Sequence, residues 1–195
     1  MSVLGNLWCS IKTAFNSTPA GAVVTPCPPR ALTPAEAQAW FDKFKARTDI
    51  PWNYPDDCCY TRAHVMAQAL EAGGVTPGKA WNYATSASGP LHVGTPNSPA
   101  GFVEWGYHVA PTVPVLGANG TVSPMVLDPS IAGGPITPQA WAALQGRAGS
   151  ALVLTDAAPY YRNVAGRVAS TPDAAKVNST FDDHRAARAA NFPPP

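Results

Sequence analysis

A chain of 195 residues allows one domain with a real core, or one domain plus a short tail, and is too short for two independent domains. Hydrophobic residues make up 46% and charged residues 13%, which excludes a chain kept unfolded by charge repulsion, while 22 Pro and 16 Gly demand a loop-rich globule. Thirteen Lys and Arg against twelve Asp and Glu leave a net charge of +1 with no basic stripe, which argues against nucleic-acid binding.

No stretch approaches the roughly 20 apolar residues of a membrane span. In the opening MSVLGNLWCSIKTAF, Asn6, Ser10 and Lys12 interrupt any apolar run, so no secretory signal peptide is read. Synthesis in the cytoplasm follows, with export or delivery without a cleaved signal left open. The cysteines stand at positions 9, 27, 58 and 59. Cys9 and Cys27 are a candidate bridge, whereas adjacent Cys58 and Cys59 pair poorly with each other and leave at least one free thiol.

Residues 1–32 are rich in Pro, Ala, Thr and Ser, lack a sustained period, and read as a loosely ordered arm before a domain over 33–195. Thr33-Pro34-Ala35-Glu36 is a capping box that opens an amphipathic helix to about Lys45, with Trp40, Phe41 and Phe44 on its apolar face. Asp56 and Asp57 precede a helix of about four turns that Gly73-Gly74 closes, which puts both Cys58 and Cys59 in its first turn.

Strands are predicted over 79–85, 103–115 and 122–127, with Gly117-Ala118-Asn119-Gly120 turning the last two into an antiparallel pair. Pro111 and Pro114 cannot donate to a ladder, so the far end of the middle strand is expected at an edge or irregular. A short helix from Thr137-Pro138 to Leu144, a strand over 151–155 and a helix from Thr171-Pro172-Asp173 to about Ala190 complete the pass.

A thiol attacks as thiolate, and its ordinary pKa of about 8.5 leaves little of that form at neutral pH. A helix N-terminus supplies free N–H groups and about half a positive charge, and Cys59 has that position. In Trp105-Gly106-Tyr107-His108-Val109-Ala110, strand alternation sets His108 on one face with Gly106 and Ala110, with room around its ring. Asp128 ends an apolar run 20 residues later, so a hairpin brings it near His108 to complete a nucleophile, base and orienter. Each has an ordinary structural alternative: a buried cysteine, a satisfied core histidine, a strand-end turn residue.

Three linked motifs carry a resemblance: Tyr54-Pro55-x-Asp57-x-Cys59-Tyr60-x-Arg62-Ala63-His64, then Trp105-x-Tyr107-His108-Val109-Ala110, then Asp128-Pro129-Ser130 with Gly134-Pro135-x-Thr137 and Trp141. Together they resemble the bacterial protein-glutaminase family, protein-deamidating enzymes with a transglutaminase-like, papain-related core. The resemblance implies an α+β fold with the nucleophile helix packed on an antiparallel sheet. It also implies hydrolysis of a protein glutamine side-chain amide to glutamate and ammonia through a thioester, with Cys59 as nucleophile, His108 as general base and Asp128 as orienting carboxylate. The backbone N–H of Cys59 and the Trp105 indole are candidate oxyanion donors, and Trp105 and Tyr107 candidate substrate-binding residues. The implied partner is a protein with an exposed glutamine, and no cofactor is required.

Two departures stand out. Cys58 replaces a glycine of the family motif, so a second thiol crowds or regulates the nucleophile; register with Tyr60 and Arg62 favours Cys59 as the reactive one. The short arm fits a bacterial toxin or delivered effector, with an immunity protein or secretion carrier as partner, better than a secreted zymogen. The same triad would also serve a transglutaminase-like acyltransferase or a cysteine peptidase, and a crowded cleft would leave a non-enzymatic binding protein. His64 lies about 140° beyond one helical turn from Cys59 and reads as structural. Cys58, Cys59, His64 and His108 lack the spacing of a zinc site. His184 with Asp182 and Asp183 reads as a solvated face.

Overall fold

The computed structural model describes residues 30–96, 98–146, 148–160 and 174–191. The fold is α+β: α1 (Pro34–Lys45), α2 (Cys59–Ala72), β1 (Gly78–Tyr83), β2 (Leu91–Gly94), β3 (Phe102–Trp105), β4 (Tyr107–Leu116), β5 (Val122–Val126), α3 (Pro138–Ala143), β6 (Ala151–Asp156) and α4 (Ala174–Asn191). Strands β5, β4, β1 and β6 lie side by side in that order, every neighbouring pair antiparallel, and β2 pairs with β3 in a separate ladder. The arm to residue 29, with its candidate Cys9–Cys27 bridge, and residues 171–173 at the start of the last helix lie outside the described residues.

Local chemistry sets the elements. The capping box at Thr33 is formed: Glu36 N donates to Thr33 Oγ1 at 3.2 Å and Thr33 N to Glu36 Oε2 at 2.8 Å. The turn after Leu116 closes through Gly117 N donating to the Thr121 carbonyl, with Gly120 at φ 78°, and joins β4 to β5 in the expected hairpin. Alternation along β4 and β1 divides the core. Val113 and Val115 join Phe41, Phe44, Met66, Leu70 and Phe181 beneath α1, α2 and α4, while Ala80 and Ala110 pack with Val126 and Trp141 on the opposite face. Leu32, which the sequence places in the arm, is 2% exposed in the first of these clusters and bridges to Val115.

Two expectations are corrected. The run over 103–115 is two strands, because the chain breaks at Gly106 and β3 pairs with β2 instead of continuing the main sheet. Strand β4 has strands on both sides only at Thr112: its start pairs with β1 and its far end with β5, so the far end leaves β1 behind as expected. Its prolines are tolerated because Pro111 lies just past the last β4–β5 pair, Thr112 with Val126, and Pro114 lies past the last β4–β1 pair, Thr112 with Gly78. Finally, Cys58 is the N-cap of α2 and not part of its first turn. Asp57 sits outside the helix and accepts Cys58 N–H on Oδ1 at 2.6 Å.

Candidate active site

Helix α2 starts under tight control. Buried Arg62, one turn into α2, donates from Nη1 to the carbonyls of Tyr54 at 3.2 Å and Asp57 at 3.0 Å, and the Trp105 indole donates to the Pro55 carbonyl at 2.9 Å. The approach loop is thus tied to α2 and to β3, which fixes where α2 begins. Cys59 is its first residue and 7% exposed, so its backbone N–H has no acceptor within the helix.

Cys58 has φ 75°, the left-handed region, and is the one non-glycine residue there among the described residues. A side chain in that conformation costs about 1–2 kcal/mol relative to glycine. Its sulfur packs into the core with Phe41, Leu70 and Phe181, and burial pushes the thiol up to about 11, against the pull of Arg62. It is a neutral core residue, turned away from the role of nucleophile; both thiols are free. Because strain and burial oppose each other at this position, Cys58→Gly is expected to be less destabilising than Cys58→Ala, although it removes one more carbon; urea melts of the two variants check the order.

His108 is the second residue of β4 and 1% exposed. Its Nε2 meets Asp128 Oδ2 at 2.8 Å. Asp128 follows β5 and receives further bonds from Trp141 Nε1 on Oδ2 at 2.8 Å and from the Ser130 N–H (3.1 Å) and hydroxyl on Oδ1. Every lone-pair direction of this buried carboxylate is met, the condition under which a buried charge is tolerable. With Nε2 taken, Nδ1 is the nitrogen left for the thiol; it is buried without a hydrogen-bond partner among the described residues, and Cys59 is near enough to add to the pull that keeps the ring protonated. Of the three side chains singled out in the sequence, His108 and Asp128 are in direct contact, and Cys59 acts on the same ring.

Burial alone would lower the His108 pKa, but the Asp128 carboxylate, with a smaller part from Cys59, outweighs it and holds the ring above its ordinary value. Burial likewise opposes the Asp128 charge, and His108, Ser130 and Trp141 together hold the carboxyl below its ordinary range. The signs fix a stability profile. The His108 contribution is complete below about pH 6.5 and lost as pH rises through the raised native value; that of Asp128 is complete above about pH 3.9 and lost as pH falls through the lowered one. Unfolding free energy is therefore expected to pass through a plateau between those two reference values as far as this pair is concerned. Urea midpoints measured across pH for the unaltered protein and Asp128→Asn isolate its share.

Other expectations change. The room around His108 is filled: the Trp105 ring stacks on it at 4.5 Å and the Trp141 ring at 5.4 Å. The Trp105 indole N–H, given to Pro55, is not free to hold an oxyanion. Tyr107 is half-buried and stacks with Trp81 and Tyr83 at 6.0 and 6.2 Å, an aromatic shelf that packs against Cys59. His64 is buried edge-on against Tyr160, away from any catalytic partner, and burial lowers its pKa. His184 packs on Tyr54 at 5.2 Å while Asp182 and Asp183 are exposed, so only part of that face is solvated. No group of three or more His, Cys, Asp or Glu side chains suited to a metal occurs among the described residues. Sequence reasoning missed Ser130 and Trp141 as partners of Asp128, although both stand in the third motif.

The architecture is that of a helix-and-antiparallel-sheet core shared with solved protein-glutaminase structures. The protein-glutaminase of Chryseobacterium proteolyticum is 26% identical, with TM-score 0.69 over 84% of this chain and 93% of that one. A crystal structure of protein-glutaminase is 26% identical, with TM-score 0.64 over 78% of this chain and 88% of that one. A pro-protein-glutaminase is 27% identical, with TM-score 0.65 over 78% of this chain and 58% of that longer one. Residues 37–145, more than half of the 195, match the family described as Glutaminase, and the chain belongs to it. A search of curated proteins found no match. No helix among the described residues is long and apolar enough to cross a membrane.

Proposed function

We propose that the protein is a protein-glutamine deamidase, converting the side-chain carboxamide of glutamine in a polypeptide to a carboxylate with release of ammonia. The observation that carries this reading is the buried His108, one ring nitrogen held by a fully bonded Asp128 and the other left open, with Cys59 at the start of α2 acting on the same ring. Cys59 as thiolate attacks the amide carbon, and its own backbone N–H at the start of α2 meets the oxyanion. His108 gives its proton to the departing nitrogen, leaving a thioester and ammonia. Water, deprotonated by His108, then attacks the thioester, returning the thiol and forming glutamate. Asp128 keeps the ring oriented throughout and stays ionised.

Only 7% of Cys59 is exposed, which suits a thin side chain reaching inward better than a main-chain carbonyl held between two flanking residues. The half-buried rings of Tyr83 and Tyr107 beside it offer a surface for the polypeptide that carries the glutamine. Incubation with an unfolded glutamine-containing protein tests the reading. Ammonia release with a gain of about 1 Da per modified residue is expected; crosslinked products or backbone cuts would instead mark an acyltransferase or a peptidase, and an unchanged mass would overturn it.

A further inference from the structure

We propose that Trp141 is a positioning residue of this site, its single indole gripping the acid and the base together: Nε1–H bonded to the Asp128 oxygen that also faces His108, and its ring laid on the His108 imidazole. This rests on the Cys59, His108 and Asp128 reading and adds to it.

Trp141 is fully buried, the first turn of α3 bringing it beneath β4 and β5 with Ala80, Ala110 and Val126. A tryptophan there could be packing alone, since the cavity is apolar. The hydrogen bond argues otherwise. Asp128 Oδ2 stands 2.8 Å from both His108 Nε2 and Trp141 Nε1, so the indole fixes the very oxygen that orients the base. Its ring lies within 24° of the imidazole plane at 5.4 Å, and Trp105 stacks on the same imidazole at 4.5 Å and 13°. Indole faces carry negative charge density, which favours imidazolium over imidazole when the ring is buried between them. Asp128 and Cys59 are the charged or titratable groups that act most strongly on the ring, and Trp141 touches the first of them. Thr137 secures the geometry, accepting Ala140 N–H at 3.2 Å to cap α3.

Trp141→Phe keeps an aromatic face and deletes the donor. The test is a nitrogen-15 titration of His108 by NMR, in the unaltered protein and in this variant, which requires no turnover. The His108 midpoint is expected to rise by about one pH unit, the scale of one charge-assisted hydrogen bond, because a carboxylate that has lost its indole donor leans harder on the imidazolium. In parallel, kcat for ammonia release should fall more than tenfold at nearly unchanged KM. In the unaltered protein the Trp141 indole proton resonance should move with the His108 titration, a readout that survives even if the variant fails to fold. A midpoint that is unchanged or lowered, or an indole proton blind to His108, overturns the proposal. Absence of ammonia release by the unaltered protein would sink the deamidase reading while leaving the titration result standing, so the two failures are distinct.

Discussion

Cys59→Ala is expected to abolish turnover, with ammonia release from a glutamine-containing protein falling at least about 10⁴-fold. The fold should survive, because the change removes one sulfur from a residue at the mouth of α2 and leaves the Arg62 and Trp105 ties in place, a loss on the order of 1 kcal/mol. The neighbouring thiol cannot stand in. Cys58 is held in the left-handed region with its sulfur in the core beneath α1 and α4, and burial keeps it protonated well above neutral pH. Ammonia assays with thermal melts of the same preparation check both halves of this expectation.

Asp128→Asn should be costly in two ways. An amide in place of the carboxylate cannot balance an imidazolium, and it presents an N–H₂ group where His108, Ser130 or Trp141 now donates. Turnover is expected to drop by about 10⁴-fold, as when the orienting acid of a triad is neutralised. Stability falls as well, by about 3 kcal/mol under conditions where the imidazolium would otherwise be paired, because one partner of a buried pair has been removed. That deficit should shrink as pH rises, since the His108 contribution is complete in mild acid and lost through the raised native value. Urea unfolding of the variant and its parent at pH 6 and pH 9 measures this; a deficit that grows with pH would contradict the assignment of the charge to His108.

Much of this site was legible in residue order. Thr33 with Glu36, and Gly73-Gly74 after Ala72, mark helix ends by the hydrogen bonds and backbone angles they supply, and the helix ends stand where those residues put them. The Gly117 to Gly120 turn sets the β4–β5 ladder, whose last pair is Thr112 with Val126, and two residues further on Asp128 reaches across to His108. What was hidden depends on three-dimensional neighbours. A glycine at 106 permits either a continuous strand or a break, and only the pairing of β3 with β2 decides between them. Nothing in the residues around Cys58 signals a left-handed cap; the family's glycine at that place was the only hint. Trp105 and Trp141 have the character of core aromatics in any sequence pattern, and their hydrogen bonds to Pro55 and Asp128 arise from contacts across the chain. The prolines of β4 told that a partner strand is missing beside them, but which side lacks it at each step is a property of the sheet.

A deamidase of this kind needs the sulfur of residue 59, and not of residue 58, as the reactive group beside His108. Brief treatment of the native protein with iodoacetamide, followed by peptide mapping and an ammonia assay on the same sample, distinguishes the two. Alkylation confined to Cys59, with activity lost in proportion to labelling, is the result expected; alkylation of Cys58 first, or full activity after Cys59 is completely labelled, would contradict it.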